Sequence, residues 1–527
     1  MIIEFPEYTP DLPPINNPGM IEAKNVIPGG TSYLPVNGLL EGSPVLTGYA
    51  RGAYFARDLD GDEENFFGDE TKLYLQAAGL MTNVSQGGGA PYALTDEEGW
   101  DFTQFGDRVI AVTISEDMQS YQFGVSSAFA DLTADATAPK ARHIDTVGDF
   151  VVVGNTTDSA DGDVPYRVRW CKINDATSWT VSVPNQADYQ DLDPANGWIN
   201  DIVGGADYGV IFQERAITTM HYVGSPAVFE FKTVERNNGT LFQHGAIRIG
   251  SLIYFIGIDG FYVFDGQQAS PIGINKINTT FLNDIDTLYY HRVSVAIDFK
   301  KQLVCWSYPS VGAVTPGTPD TILFYNYSPN ATKRWSYAEL SHELLFNHYT
   351  SGYLMDPADG VSDPSTTAGV LDYYQINTQS PTVNPPDLDQ LTPDSMDSQF
   401  WVGKNIALGA FSGDHKLSTF AGDPLTAVLE TPEVQLNDGE RTNLLLMRPV
   451  VDGTVGTITM RVGYRNLQSE SVSYTASYTV NATGNIPVRP PSARYHRVEL
   501  TIAPVSTSTF LHAIGVEVIE QRKSGKR

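Results

Sequence analysis

The sequence predicts an all-β fold, a β-propeller of about six or seven blades with an appended C-terminal β-sandwich domain. Three observations carry this. A motif of turn pair, aliphatic run, second turn and aromatic-rich run returns through the first two-thirds of the chain. Helical periodicity is scarce, while 27 Tyr and 24 Phe favour strands. From Thr431 onward the pattern changes to longer strands of alternating apolar and polar residues, as in a sheet with one buried face.

Residues 1–49 are expected as an extended N-terminal arm and first strands. Five prolines within the first twenty positions oppose helix and suit a segment laid over a neighbouring surface. The propeller is expected over 50–430. Its turn pairs are Gly106-Asp107, Gly148-Asp149, Ala206-Asp207, Gly250-Ser251 and Lys300-Lys301, each followed by an aliphatic run such as Val151-Val152-Val153. The steps between the second residues of these pairs are 42, 58, 44 and 50 residues. Fainter copies stand at Gly68-Asp69 and Gly413-Asp414. Hairpin repeats of this length suit blades, which bury their sheet faces only by stacking around an axis. Sandwich strands would recur at roughly 8–12 residues instead. Asp259-Gly260 is a hairpin signal, since both residues tolerate positive φ.

Residues 355–398, rich in Pro and Asp, are expected as a long insertion, with room for a hairpin at 369–376. The C-terminal β-sandwich is expected over 431–527, with strands at 457–464, 472–480, 495–502 and 512–519. It ends in a basic tail. Arg522, Lys523, Lys526 and Arg527 are candidates for contact with an acidic partner or a neighbouring subunit.

With 33 basic and 62 acidic residues the formal charge is −29. Such a surface disfavours tight wrapping of nucleic acid, whose phosphates need Lys and Arg. It suits solubility, or a wall along which a polyanion slides without sticking. No stretch has the roughly 18 uncharged apolar residues of a membrane helix. The opening Met1-Ile2-Ile3-Glu4 lacks the basic and apolar regions of a signal peptide, so the chain is expected to be made in a cytoplasm. Cys171 and Cys305 sit in apolar runs and are expected as small buried side chains rather than a disulfide.

Motifs of catalysis are missing: no G-x-S-x-G, phosphate loop, C-x-x-C or H-E-x-x-H. No enzyme, cofactor or catalytic residue is expected. Asp58, Asp60 and Asp62 alternate as calcium loops do, but Glu63 occupies the position that needs Gly, so a solvated loop is the better reading. Asp158, Asp161 and Asp163 form a second acidic turn. His342-Glu343 with His348 has the wrong spacing for a metal helix and is expected at the surface. Two turns ending in Trp, 174–179 and 330–335, resemble sialidase turns without their Asp and Gly. They are expected as packing turns, and a glycan-binding or glycan-cleaving propeller stays as the alternative function.

A run of glycine and apolar positions extends from Ile199 to Asp286. It includes Gly209–Ile217, His221-Tyr222, Gly224, Gly239, Gly245, Phe255–Phe264, Gly266 and Ser270–Gly273. This segment resembles the tail hub or nozzle family of short-tailed bacteriophages, also called packaged-DNA stabilisation proteins. Weaker likenesses flank it at Asn25–Pro28, Pro35–Leu39 and Arg51-Gly52, and at Arg494–Arg497. The 355–398 insertion has no counterpart in the family's pattern. The resemblance implies a structural virion protein, assembled in the host cytoplasm and located in the tail. It would form a ring, usually a homohexamer, below the portal and head-to-tail adaptor. Double-stranded DNA would be retained by that ring and later ejected through it without specific binding. A ring of this kind follows from heterologous interfaces that close.

Overall fold

Antiparallel hairpins dominate the described residues, with 52% strand and 4% helix. The computed structural model describes residues 1–14, 17–58, 61, 63–77, 80–350, 405–437, 440–453, 456–504 and 510–524. The 355–398 insertion, with its expected hairpin at 369–376, lies outside the described residues. The chain divides into two compact units.

One unit comprises Glu41–His244 and Glu343–Ser418. Among the described residues it contains five four-stranded sheets. The first holds Gly52–Arg57, Glu63–Gly68, Leu73–Ala77 and Leu80–Asn83. The second holds Asp101–Phe105, Arg108–Val112, Gln119–Gln122 and Ala130–Asp131. The third holds Lys140–Val147, Phe150–Asp158, Gly162–Trp170 and Asp188–Asp191, and the fourth Ile199–Val203, Tyr208–Gln213, Ala216–Gly224 and Val228–Arg236. In the fifth, Leu344–Tyr349, Ile406–Phe411 and Lys416–Thr419 are completed by the earlier strand Leu40–Val45.

Gly106-Asp107, Gly148-Asp149 and Ala206-Asp207 each join the first and second strands of a sheet, and Gly106 and Gly148 take the positive φ those tight turns require. The fainter pairs Gly68-Asp69 and Gly413-Asp414 fall one hairpin later, between second and third strands. Local turn chemistry explains the first of them. The Asp69 carboxylate accepts the backbone N–H groups of Thr71 and Lys72 at 2.7 Å each, and the Tyr74 hydroxyl at 2.7 Å. An Asx turn forms wherever such a residue sits, whatever its place in the repeat.

The first strands of successive sheets lie against one another. Apolar faces meet there, for example Ile110 and Val112 of the second sheet with Ile144, Val151 and Val153 of the third. Polar side chains tie one sheet to the next. Gln104 Oε1 accepts the Arg57 N–H at 3.1 Å, and Asn65 exchanges hydrogen bonds of 2.8 and 2.9 Å with the backbone of Tyr349. The Asp101 carboxylate accepts the Ile144 N–H at 2.9 Å, and that of Asp145 accepts the Gly204 N–H at 2.6 Å.

The other unit comprises Met1–Leu40, Gly245–His342 and Thr419–Arg527. It holds one four-stranded sheet of Ala246–Ile249, Leu252–Gly257, Gly260–Phe264 and Ala269–Pro271. A ten-stranded sheet starts with Ser294–Asp298, Leu303–Tyr308, Thr321–Asn326 and Trp335–Glu339. It continues through Glu22–Lys24 to Ala427–Glu430, Tyr495–Ala503 and Thr457–Arg465, with Ser473–Tyr474 and Tyr478–Thr479 on its edge. A six-stranded sheet joins Ile2–Glu4, Val26–Pro28 and Tyr33–Pro35 to Phe510–Lys523, Thr442–Gly453 and Ile486–Pro487.

Strands from 431–527 are therefore shared between two sheets, and short N-terminal strands enter both. Glu22–Lys24 runs parallel to Trp335–Glu339 and antiparallel to Ala427–Glu430. Asn25, at φ 56°, holds the junction: its Oδ1 accepts the Glu339 N–H and its Nδ2 donates to the Thr426 carbonyl, both at 2.9 Å. The Gly250-Ser251 and Lys300-Lys301 turns again join first and second strands.

The hairpin expected at Asp259-Gly260 is present but shifted by one residue. Gly257 pairs with Gly260, so Ile258 and Asp259 form the turn, and Gly260 opens the return strand at φ 135°. Asn278 is the reason. Its Nδ2 donates to the Asp259 carbonyl at 2.9 Å and its Oδ1 accepts the Phe261 N–H at 3.3 Å. A Cβ at position 260 would lie 1.9 Å from this amide. Gly260→Ala is expected to cost about 1–3 kcal/mol from the backbone alone. A fall in urea midpoint at unchanged slope would show it, whereas an unaltered midpoint would mean that the positive φ at position 260 carries no strain for a side chain.

Candidate functional site

Two adjacent first strands carry the polar residues that stand out. Asp101 begins the second sheet, and His143 lies on the first strand of the third. The connection after Val228–Arg236 brings in His244 at φ 53°. Donor atoms of the three side chains lie within 4.8 Å of one another. Asp101 Oδ2 is 3.9 Å from His143 Nδ1, and Asp101 Oδ1 is 3.9 Å from His244 Nδ1. The imidazole centroids are 5.8 Å apart with planes at 62°, so the rings do not stack.

His143 is wholly buried and neither of its ring nitrogens has a hydrogen-bond partner among the described residues. Burial, then the neighbouring His244 and Arg142, push its pKa well below the ordinary value. Asp101 is mostly covered, and burial raises its carboxyl against the opposing pull of His244 and the N–H groups of Ile144 and Phe102. Asp145, on the same strand as His143, is pushed up to about 6 by burial although it accepts from Gly204 and Thr146 N–H groups. The set offers two nitrogens and one carboxylate, the donor types that hold a transition-metal ion.

The residues singled out in the sequence are placed differently. Asp60 and Asp62 lie outside the described residues, and the Asp58 carbonyl accepts the Gly61 N–H at 3.3 Å. In the second acidic turn, arginines occupy the carboxylates. Arg167 pairs with Asp161 and Asp191 at 2.6 Å each and stands 3.5 Å from Asp158, which Arg169 approaches to 3.2 Å. The surface placement expected for His342, Glu343 and His348 is wrong: all three are buried. Within the unit of Gly245–His342, the ring of His342 meets Ser307 Oγ at 2.5 Å and the Leu340 carbonyl at 2.7 Å, which satisfies both nitrogens. In the other unit Glu343 accepts the Ala50 N–H at 3.0 Å and meets His415 Nδ1 at 2.5 Å.

Trp179 and Trp335 are fully buried, and each turn that bears them follows the third strand of its sheet, as a packing turn should. Cys171 and Cys305 are buried free thiols, that of Cys171 pushed up to about 12 by burial. In the basic tail, Arg522 pairs with Glu520 and Lys523 with Glu440, both at 3.3 Å, while Lys526 and Arg527 lie outside the described residues. Among the described residues no helix is long and apolar enough to cross a membrane.

No protein-family model matches the chain, and no curated protein matches it. The fold is largely β, and many of its sheets are small, four-stranded and antiparallel.

Proposed function

We propose that this chain is a β-propeller of about six or seven blades that serves as the tail hub or nozzle of a short-tailed phage. Six copies would form a ring beneath the portal and adaptor, retain packaged DNA and conduct it at ejection. The observation that carries this reading is the stretch from Ile199 to Asp286. Its glycines and apolar runs coincide with two four-stranded repeats, Ile199–Arg236 and Ala246–Pro271. Side-by-side first strands in the five-sheet unit are what a radial arrangement of blades needs. The formal charge of −29 per copy favours a bore to which DNA does not adhere. Retention is then steric, and the basic tail is a candidate for holding an acidic neighbour.

Light scattering on the tag-free chain, alone and with the adaptor ring, tests this. The expected mass is about six times the 57.6 kDa chain. DNA binding should be weak even at low salt, because few phosphates are neutralised. A strict monomer at high concentration in both conditions would overturn the reading. Retention on, or cleavage of, a member of a polysaccharide panel would favour the glycan alternative.

A further inference from the structure

We infer that Asp101, His143 and His244 form a binding site for a divalent transition-metal ion of the zinc class, a site that staples the second and third sheets to the connection that follows the fourth. Two independent features point to it. First, three separate elements deliver three donors to one place, all within 4.8 Å. Second, His143 is fully buried with neither ring nitrogen satisfied among the described residues, and it faces this cluster. A buried polar group without a partner costs about 1–3 kcal/mol. Such a group needs an explanation, and coordination supplies one.

The chemistry of the donors narrows the ion. Calcium and magnesium take oxygen ligands, whereas two imidazoles with one carboxylate suit zinc, cobalt or a neighbouring first-row ion. Tetrahedral donors about 2.1 Å from zinc stand about 3.4 Å apart. The two carboxylate-to-imidazole separations of 3.9 Å run to different oxygens of Asp101, and the three donor atoms lie within 4.8 Å of one another, so they need to close by up to about 1.4 Å. His244 can follow the ion, since it sits on a connection and is over a third exposed, whereas the Asp101–His143 separation must be closed by those two side chains themselves. Asp101 is already oriented by the Ile144 and Phe102 N–H groups at 2.9 Å, the kind of outer contact that fixes a ligating carboxylate. Three protein donors leave one position, which water takes.

The site ranks above the acidic turns for a physical reason. In the turn of Asp158 and Asp161 the cationic role belongs to Arg167 and Arg169, and among the described residues no cation side chain pairs with Asp101. The 42 residues from Asp101 to His143 equal the step from Asp107 to Asp149, so the two occupy equivalent places in consecutive repeats.

Calorimetric titration of the tag-free, chelator-treated full chain with zinc, repeated with cobalt, tests the site. One ion per chain is expected, undisturbed by excess calcium or magnesium. His244→Ala alters a partly exposed loop residue, should leave the fold intact by circular dichroism, and should weaken zinc binding at least tenfold. Asp101→Asn should do the same, and cobalt should give the visible absorption of a low-symmetry nitrogen–oxygen site in the parent chain alone. Absence of zinc and cobalt binding by the parent chain would overturn the inference. So would wild-type affinity in a folded His244→Ala protein, because the ion would then sit elsewhere.

Discussion

Arg465→Met is expected to lower stability by about 3–5 kcal/mol. Arg465 and Glu433 form a two-pronged pair, Nε to Oε2 and Nη2 to Oε1, both at 2.7 Å. Their side chains are 8% and 3% exposed, so water contributes little screening. The third nitrogen, Nη1, donates to the carbonyls of Gln468 at 2.8 Å and Glu470 at 3.1 Å, which closes the loop at the end of Thr457–Arg465. A planar fork with every prong used cannot be replaced by lysine without loss, and Arg465→Lys is expected to fall between the parent and the methionine variant. With methionine, Glu433 keeps only Arg497, at 3.6 Å, among the described residues. The stranded carboxylate sets the size of the loss, more than the lost attraction does. The double variant Arg465→Met, Glu433→Leu should therefore recover most of it, since buried ion pairs often exchange for apolar groups at little net cost. Urea unfolding of parent, single and double variants reads the cycle. A single-variant loss below about 1 kcal/mol, typical of exposed pairs, would mean that the pair is solvated.

How far the sequence was legible follows from where each signal lives. The first-to-second-strand turns at Gly106-Asp107, Gly148-Asp149 and Ala206-Asp207 were readable because turn chemistry is local and the next strand repeats it. The pairing of Glu22–Lys24 with Trp335–Glu339, and of Ile3 with Val516, was not, because nothing in either partner's local pattern names the other. His342 and His348 were misplaced for a related reason. Residue type favours the surface, and only tertiary partners such as Ser307 show that a buried imidazole is satisfied. Asp101 and His143 were half legible. Each stands six residues before the second residue of its turn pair, so aligning the repeats puts them in register. His244 had no comparable signal, since it lies on a connection outside the repeat.

The second large effect is expected from acid. Burial pushes both His342 and His496 down to about 4. A base whose folded pKa lies below its unfolded value near 6.5 contributes stability that is present above that value and lost as pH falls through the folded one. For each histidine the window runs from about pH 6.5 to 4 and the loss approaches about 3 kcal/mol. Glu22 and Glu430, raised by burial, act in the opposite sense and recover stability over part of the same range, so the parent's total is smaller than the histidine contributions alone. Substitution isolates the contribution. His342 is a poor choice because its removal leaves Ser307 without its partner. His496 is better: it is 1% exposed, and neither ring nitrogen has a partner among the described residues. His496→Leu should be as stable as the parent at pH 7, or more stable by about 1–3 kcal/mol, since it removes unpaired buried polar atoms. Its stability should then fall by about 3 kcal/mol less than the parent's between pH 7 and pH 4. Urea midpoints measured through that range decide the matter. Parallel profiles for the two proteins would mean that the imidazole is already hydrated in the native state, and the burial argument for this residue would fail.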